Sequence, residues 1–211
     1  MRIFVAGANG RVAGEVIVRL AGAGHEVTAG ARTPARVTVR EHVQPVAFDL
    51  HDDVETLAEA ISGHDAVYFL AGSRGADLLA TDAFGAVKLA RAAQRRGIRR
   101  FVLLSSLFSL RPDEWNRPGL AGIGDYNIAK FFADNYISEQ TDLDWTIVQP
   151  GALTETPGTG RVRLDPPDFG PNPIPDVAQV LVEVLDRPNT CRRTVPMIGG
   201  GTPIGEALAS L

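Results

Sequence analysis

The chain has 211 residues, of which 45% are hydrophobic and 22% are charged, and its formal net charge at pH 7 is −4. This length and apolar content allow one substantial core, and the acidic balance offers no overall positive field for nucleic acid or an anionic membrane surface. Cys191 is the only cysteine, which excludes a disulfide scaffold, and the four histidines lie too far apart in the sequence to predict a metal site.

No stretch of the chain predicts a membrane span or a targeting segment. No run approaches about 18 uninterrupted apolar residues. Met1 leads directly into an apolar stretch, with no basic region or cleavage site before it. We therefore expect a cytoplasmic protein whose partners include neither nucleic acid nor a membrane.

A glycine-rich turn between a predicted strand and a predicted helix opens the chain. Residues 3–6 are all apolar, as in a strand covered on both faces, and from Val12 onward apolar residues recur at helical spacing. Gly7 permits a sharp turn and Gly10 a close approach of an anion to the backbone, while the first N–H groups of the helix attract phosphate. Because the spacing G-x-x-G-x-x-A departs from the G-x-G-x-x-G dinucleotide fingerprint, a purely structural turn is the alternative to a phosphate site. The predicted phosphate site consists of Gly7, Ala8, Asn9, Gly10, Arg11 and Val12.

The residues after the second predicted strand, His25 to Gly30, bear on whether a dinucleotide bound at the glycine turn would be NAD or NADP. In sites selective for NAD, an acidic residue about 20 positions past the glycines holds the ribose 2′-hydroxyl. Here that neighbourhood contains Arg32 and no acid. Because a guanidinium suits a 2′-phosphate, we expect NADP as the preferred cofactor, NAD as the second choice, and Arg36 as a second contact. The alternative is an arginine in an exposed polar loop.

Predicted strands and helices alternate along the rest of the chain. The further strands are 43–48, 65–71, 101–104, 145–148 and 194–198, and the further helices are 52–61, 77–96, 124–140, 176–185 and 204–211. This alternation predicts an α/β fold with a doubly wound parallel sheet, in a single domain over residues 1–211 with a small C-terminal substrate lobe. Ligands bind beyond the carboxyl ends of such strands, so one edge of the sheet should bring together Gly7, Arg32, Asp49, Gly72 and Ser106.

A long stretch rich in Pro and Gly, from Thr154 to Pro175, follows the predicted strand 145–148. So long a stretch without a regular pattern is uncommon in a compact domain unless it forms a binding loop or a lid, or is disordered. Its position after a strand of the sheet favours a loop region that covers the substrate, residues 151–175. We expect Trp115, from the loop before the helix 124–140, to contribute to the same cover.

Tyr126 and Lys130 lie four residues apart on one face of the helix 124–140. Only two of the 21 basic residues are lysines, so a lysine here points to a role that an arginine would not fill. A compact ammonium can lower the pKa of a neighbouring phenol and donate to a ribose hydroxyl. A polarised phenol beside a nicotinamide can exchange a proton with a carbonyl-alcohol couple, and Ser106, or its neighbour Ser105, can hold the oxygen. The alternatives are a surface Tyr–Lys pair and a serine that only satisfies backbone groups at a strand end.

Several of these motifs together resemble the short-chain dehydrogenase/reductase superfamily, namely Gly7-x-x-Gly10-x-x-Ala13, Ser106, Tyr126-x-x-x-Lys130 and Pro150-Gly151. Three longer stretches are similar to its atypical branch of small bacterial NAD(P)-binding, epimerase-like and flavin-reductase-like proteins. These stretches are Val-Ala-Gly-Ala-Asn-Gly at the start, Asp125-Tyr-Asn-Ile-Ala-Lys130, and Gln149-Pro-Gly-Ala-Leu153-Thr-Glu155. The resemblance spans nearly the whole chain.

The resemblance implies a Rossmann fold, a nicotinamide dinucleotide along the strand ends, and a catalytic set of Tyr126, Lys130 and Ser106, with Lys130 also on the cofactor. It places Asp49 and Leu50 near the adenine, Ala71 and Gly72 near the ribose, and Pro150, Gly151, Ala152 and Leu153 near the nicotinamide. The catalytic Asn of the family has no clear match, since the corresponding stretch reads Thr81-Asp82-Ala-Phe-Gly85. The substrate lobe is also much shorter than in sugar-nucleotide epimerases, which argues against a nucleotide-sugar substrate.

Together these features predict an NADP-dependent oxidoreductase that transfers hydride between nicotinamide and a small carbonyl, quinone or flavin-like substrate. The alternatives are a non-catalytic NADP-binding sensor and an epimerase or dehydratase that acts by transient oxidation. The phenol and the ammonium favour the enzyme, because a sensor has no need of a tuned phenol. The expected partner is the small-molecule substrate, and the sequence is consistent with either a monomer or a homodimer.

Overall fold

A nine-stranded sheet forms the centre of the protein, whose computed structural model describes residues 1–211. The strands are β1 (Arg2–Ala6), β2 (Glu26–Ala31), β3 (Val43–Ala47), β4 (Ala66–Phe69), β5 (Arg100–Leu104), β6 (Asp144–Pro150), β7 (Ala152–Thr154), β8 (Arg161–Leu164), β9 (Pro171–Pro173), β10 (Arg193–Gly199) and β11 (Thr202–Pro203). The helices are α1 (Arg11–Gly22), α2 (Val54–Ala60), α3 (Phe84–Arg95), α4 (Gly124–Gln140), α5 (Ile174–Glu183) and α6 (Ile204–Ala209). None of these helices combines the length and the apolar character that crossing a membrane requires.

The order of the strands in the sheet is β11-β8-β10-β6-β5-β4-β1-β2-β3. Every neighbouring pair from β3 across to β10 is parallel, whereas β8 runs antiparallel to both β10 and β11. The chain builds outward from β1 to β3 and then returns to start β4 on the other side of β1. Ligands bind at such a reversal of strand order. The predicted doubly wound α/β fold of the Rossmann type is therefore confirmed.

Helices cover both faces of the sheet because its central strands are apolar on both sides. Along β1, Ile3 and Val5 pack into the layer that contains α1, α5 and α6, while Phe4 and Ala6 pack into the layer that contains α2, α3 and α4. Burial of a large apolar side chain stabilises the fold by about 1.5–3 kcal/mol. Two such layers hold the strands in place and leave the loops beyond their carboxyl ends to form the site.

The stretch 154–175 is more regular than its Pro and Gly content predicts. β8 lies inside it and pairs with β10 in the large sheet, while β7 and β9 pair with each other in a separate two-stranded sheet. The buried carboxylate of Asp176 holds the turn before β8, because it accepts hydrogen bonds of 2.8 to 3.0 Å from the N–H groups of Thr159 and Gly160. The prediction of an irregular stretch was wrong because the partners that make these segments strands lie elsewhere in the chain.

The predicted helix 77–96 consists of two parts. Residues Leu78–Ala83 form a π-helical segment, and the α-helix α3 begins only at Phe84. Within the π-helical segment, Asp82 is fully buried. Single π-helical turns are frequent at functional sites, and this one borders the site described next.

Candidate functional site

A cleft of about 590 Å³ runs along the carboxyl ends of β1 to β6. The predicted site residues that line it are Gly7, Asn9, Gly10, Arg11, Val12, Arg32, Asp49, Leu50, Ala71, Gly72, Ser105, Ser106, Tyr126, Lys130, Pro150, Gly151, Ala152 and Leu153. Ala8 does not line the cleft, because it is buried beneath the turn and its N–H donates to the carbonyl of Gly30 at 3.0 Å. Residues from six strand ends therefore meet in one space, as expected for a parallel sheet.

The turn after β1 accepts only glycine at residue 7. Gly7 has a φ of +89°, and a Cβ on it would lie 2.5 Å from the Cα of Ala71. Its N–H donates to the carbonyl of Gly30 at 3.0 Å, and its carbonyl accepts from the N–H of Gly10 at 2.9 Å. A side chain at residue 7 would therefore strain the backbone and push the loops after β1 and β4 apart.

Helix α1 presents uncapped N–H groups to the cleft. Gly10 precedes the helix without a side-chain cap, and no acidic residue stands in its first turn. Free N–H groups and the helix dipole attract an anion, so the residues present fit a dinucleotide phosphate. Nη1 of Arg11 lies 2.6 Å from Oε1 of Glu155, and this ion pair ties the start of α1 to the loop after β7.

Three arginine side chains that line the cleft make no ion pair or hydrogen bond within the protein. Arg32 and Arg36 follow β2, where a site selective for NAD would carry an acid, and Arg74 lies in the loop after β4. Guanidinium groups bind phosphate through paired hydrogen bonds. Arg32 and Arg36 therefore fit a phosphate group additional to those at the glycine turn.

Helix α4 brings Tyr126 and Lys130 together on the face that lines the cleft. Nζ of Lys130 lies 5.5 Å from the centroid of the Tyr126 ring and donates to the carbonyl of Leu104 at 3.3 Å. Tyr126 is half-buried, whereas the Lys130 side chain is only 2% exposed. The shared face follows from helix geometry, because residues four apart lie one turn above each other.

The surroundings of Lys130 keep it charged. Burial disfavours an ammonium, but Tyr126 and the buried carboxylates of Asp82 and Asp134 outweigh this, so the pKa of Lys130 is raised above its ordinary value. Oδ1 of Asp82 lies 3.8 Å from Nζ. Lys130 is therefore an ammonium at neutral pH.

A buried network of hydrogen bonds separates the two serines at the end of β5. Ser105 Oγ donates to Oδ2 of Asp134 at 2.7 Å, and the same oxygen accepts from Ser109 at 2.5 Å and from Gln149 at 3.1 Å. Burial raises the pKa of Asp134 above its ordinary value, although these hydrogen bonds oppose the shift. Ser106 lies outside the network and lines the cleft. Its hydroxyl makes no hydrogen bond within the protein, so it is the serine available to a ligand.

The cleft contains further residues to which the sequence motifs assigned no role. They are Gly30, Ala31, Thr33, Phe48, Leu70, Arg74, Thr81, Asp82, Leu104, Ile123 and Phe169. Most are apolar or small, and nothing in the neighbouring sequence marks them as site residues. Asp82 is an exception that the sequence could have indicated, because it is the only carboxylate between Leu78 and Arg96 in a largely apolar stretch.

A second groove, of about 560 Å³, adjoins the cleft at Tyr126. The two spaces share Arg74, Ile123 and Tyr126, and Leu78 adds an apolar wall to the groove. The half-buried phenol therefore stands between the cofactor-sized cleft and a space of a size suited to a small molecule.

Trp115 lines neither the cleft nor the groove. Its Nε1 donates to the carbonyl of Phe108 at 2.9 Å, and its ring packs edge-on against Phe131. The expected contribution of Trp115 to a substrate cover is thus not supported by its position. In the region 151–175, the residues that line the cleft are Gly151, Ala152, Leu153 and Phe169.

His51 joins two acidic loops beside the cleft. Its Nδ1 lies 2.8 Å from Oδ1 of Asp49, and its Nε2 lies 2.8 Å from Oδ2 of Asp77. Hydrogen bonds to Asp49 and Asp77 raise the pKa of His51. The pKa of Asp49 is lowered, first by the backbone N–H of His51, and the pKa of Asp77 is lowered, first by the hydroxyl of Thr81.

Comparison with known proteins identifies the family. The sequence profile of NAD(P)H-binding proteins matches residues 7–188. The crystal structure of the oxidoreductase ylbE from Lactococcus lactis is 40% identical and superposes with a TM-score of 0.97, covering 100% of this chain and 96% of that one. YhfK of Bacillus subtilis, named an uncharacterized sugar epimerase, is 34% identical over 100% of both chains. A (4-alkanoyl-5-oxo-2,5-dihydrofuran-3-yl)methyl phosphate reductase of Streptomyces griseus is 30% identical over 87% of this chain and 62% of its own length. The chain therefore belongs to the Rossmann-fold family of NAD(P)H-binding proteins, which includes oxidoreductase-like and epimerase-like relatives.

Proposed function

We propose that this protein is an NADP-dependent oxidoreductase that transfers hydride between nicotinamide and a small carbonyl, quinone or flavin-like substrate. The observation that carries the proposal is the position of Tyr126 beside the buried ammonium of Lys130. The centroid of the Tyr126 ring lies 5.5 Å from Nζ of Lys130, and both residues line the same cleft as the glycine turn. A phosphate-binding turn alone would serve any protein that binds a dinucleotide. A phenol held against an ammonium serves proton transfer.

The residues along the strand ends would hold the cofactor. The glycine turn and the start of α1 would bind the dinucleotide phosphates, and Arg32 with Arg36 would bind the 2′-phosphate that distinguishes NADP from NAD. The other predicted contacts are Asp49 and Leu50 at the adenine, Ala71, Gly72 and Lys130 at the riboses, and Pro150, Gly151, Ala152 and Leu153 at the nicotinamide. A bound nicotinamide supplies or accepts the hydride.

The catalytic set that we propose consists of Tyr126, Lys130 and Ser106. Tyr126 donates a proton to the substrate oxygen in reduction and accepts it in oxidation. Lys130 stabilises the negative charge that develops on the phenol oxygen during this transfer. The free hydroxyl of Ser106 donates to the substrate oxygen and holds it within reach of the phenol.

The groove beside Tyr126 is the proposed entry for the substrate. Leu78 and Ile123 offer apolar walls, the unpaired guanidinium of Arg74 offers a cation, and Asp125 adds a carboxylate elsewhere in the lining. An acceptor with an apolar body fits this lining, provided that any anionic group on it is placed against Arg74. The relative from Streptomyces griseus is named as a reductase of a (4-alkanoyl-5-oxo-2,5-dihydrofuran-3-yl)methyl phosphate, and this name supports a substrate with an anionic group.

A second candidate function is an epimerase or dehydratase that acts by transient oxidation, which the name of the Bacillus subtilis relative favours. The same phenol would exchange the proton in that reaction. The two functions differ in their use of cofactor, because an oxidoreductase consumes NADPH with each turnover and a transient oxidation regenerates it.

The test is a turnover screen with NADPH and NADH against quinones, aldehydes and flavins, following the loss of reduced nicotinamide. Tyr126→Phe should lower kcat by about 10²- to 10⁴-fold, the usual contribution of a general acid or base, with NADPH affinity nearly unchanged. Lys130→Ala should weaken NADPH binding as well. Tyr136→Phe, on the same helix but outside the cleft, is the matched control and should retain activity. Full activity in Tyr126→Phe would indicate hydride transfer without the phenol, as in a flavin-reductase-like protein, and tight NADPH binding without turnover would indicate a sensor.

A further inference from the structure

We propose that Asp82 is a positioning residue, whose buried carboxylate fixes the Lys130 ammonium beside Tyr126 and couples it to the loop after β4. This inference deepens the proposed function and rests on it for the role of Lys130. Asp82 lies in the π-helical segment Leu78–Ala83, which packs against α4, the helix that carries Lys130.

The two oxygens of Asp82 have different surroundings. Oδ2 accepts a hydrogen bond of 2.9 Å from the N–H of Ser73. Oδ1 has no hydrogen-bond partner and lies 3.8 Å from Nζ of Lys130. A fully buried carboxylate oxygen without a partner is strongly unfavourable unless a cation faces it. The ammonium of Lys130 therefore offsets the cost of burying a charged Asp82. The carboxylate in turn fixes the position of the ammonium.

The loop after β4 packs on the same carboxylate. A Cβ on Gly72 would lie 3.3 Å from Oδ1 of Asp82, which is tighter than an ordinary contact. Ala71 and Gly72 line the cleft, and Ser73 is hydrogen-bonded to Asp82. Asp82 is thus in direct contact with a loop of the proposed cofactor site on one side and with Lys130 on the other.

Two other ionisable groups face Lys130, and neither can replace Asp82. Tyr126 stands on the cleft side of the ammonium. Asp134 is buried, and its Oδ2 accepts from three side chains of the network that contains Ser105; its Oδ1 has no hydrogen-bond partner but is not within ion-pair distance of Nζ. Only Asp82 places an otherwise unpartnered carboxylate oxygen within ion-pair distance of Nζ.

Asp82→Asn separates a positioning role from a merely structural one. The amide has nearly the same shape and still offers an oxygen to the N–H of Ser73, but it carries no charge for Lys130. A structural aspartate would tolerate this change with no effect on the ammonium. A positioning aspartate would not, because the loss of its negative charge makes the ammonium easier to deprotonate.

The chain contains only two lysines, Lys88 and Lys130, so NMR of protein labelled with ¹³C at its lysine side chains gives only two sets of signals to follow. Nζ of Lys88 donates to the carbonyl of Asp52 at 2.8 Å, and Lys88 serves as the internal control. In Asp82→Asn we expect the titration midpoint of Lys130 to move to lower pH while that of Lys88 stays the same. An unchanged Lys130 midpoint, or a larger shift in the matched variant Asp134→Asn, would overturn the proposal.

Thermal unfolding provides a second test that does not require the single variant Asp82→Asn to fold well. Lys130→Met leaves the buried carboxylate of Asp82 facing no cation, so its Tm should fall. The double variant Asp82→Asn/Lys130→Met removes both charges, and its Tm should lie above that of Lys130→Met. A double variant that melts at or below the Tm of Lys130→Met would contradict the coupling.

Neither measurement depends on turnover. If the protein shows no activity, the proposed function is contradicted, but the two measurements still test whether Asp82 and Lys130 are coupled. Where a substrate is turned over, Asp82→Asn should also move the alkaline limb of the kcat profile to lower pH. An alkaline limb at the same pH in both proteins would count against the proposal, because a general loss of stability lowers activity without moving that limb.

Discussion

The hydroxyl of Ser105 donates a 2.7 Å hydrogen bond to Oδ2 of Asp134 in the interior of the protein. Ser105 and the adjacent residue in the chain, Ser106, both line the cleft, but the hydroxyl of Ser106 makes no hydrogen bond within the protein. Because the hydroxyl of Ser105 already donates to Asp134, only the hydroxyl of Ser106 is free to donate to a ligand. We therefore expect Ser106, and not its neighbour Ser105, to contact the substrate.

Replacing the two serines one at a time should therefore affect different properties: catalysis in one variant and stability in the other. Ser106→Ala removes a donor to the substrate oxygen and should lower kcat by roughly 10²- to 10³-fold with little change in Tm. Ser105→Ala removes a buried hydrogen bond to Asp134 and should reduce the free energy of unfolding by about 1 kcal/mol. Steady-state kinetics and thermal unfolding of both variants are the measurement. A larger loss of kcat in Ser105→Ala than in Ser106→Ala would assign the role to Ser105.

The preference for NADP should depend on Arg32. A guanidinium that binds a 2′-phosphate contributes about 1.5–3 kcal/mol, so Arg32→Ala should weaken NADPH binding by roughly 10- to 150-fold and leave NADH binding nearly unchanged. Arg32→Asp should reverse the order of the two affinities. Arg36→Ala is the matched comparison and should have the smaller effect. Fluorescence titration with both cofactors tests this, and equal affinities in the unmodified protein would contradict it.

The stability of the protein should depend on pH through His51. Its pKa is raised by Asp49 and Asp77, so its stabilising effect is fully present below its ordinary pKa of about 6.5 and is lost as the pH rises through the higher folded value. The pKa values of both carboxylates are lowered, so their contribution is present above about 3.9 and is lost as the pH falls through the lower folded values. The bridge should therefore stabilise the fold most between about pH 4 and 6.5.

The variant His51→Gln tests this dependence. The difference in Tm between the unmodified protein and His51→Gln should be largest near pH 5.5, within the window set by the ordinary pKa values of about 3.9 and 6.5. It should shrink as the pH is raised above neutrality. Because these groups are exposed, added salt should reduce the difference as well. A difference in Tm that is constant from acidic to alkaline pH would show that the ionisation of His51 does not contribute to stability.

The region 151–175 should cover the substrate through the segment 165–170, which connects β8 to β9 and contains Phe169. We expect backbone hydrogen exchange in this segment to slow when NADPH and a substrate are both bound. β8, which pairs within the large sheet, is the internal control and should exchange at the same rate in both states. Unchanged exchange at residues 168–170 would rule out the cover.

Local features of the sequence determined the order of the main strands and helices, the glycine turn and the Tyr126–Lys130 pair. Each depends on residues that are close in the chain: an apolar run makes a buried strand, Gly7 permits a backbone conformation that other residues rarely adopt, and a four-residue spacing places two side chains on one helical face. These local preferences do not require contacts between segments that are distant in the chain. The parallel sheet follows from the alternation of strands and helices, and it brings the strand ends to one edge.

Only the tertiary structure decided which residues face one another across these elements. The pairing of β8 with β10, the ion pair of Asp82 with Lys130 and the hydrogen bond of Ser105 with Asp134 all join segments that are distant in the chain. Such contacts depend on how two packed layers fit around one sheet, and neither partner carries a local pattern that names the other. Trp115 shows the same limit, because its ring packs against Phe131 on α4 and not over the cleft. The chemistry of a side chain can be inferred from its type and neighbours in sequence, but its partner is chosen by packing.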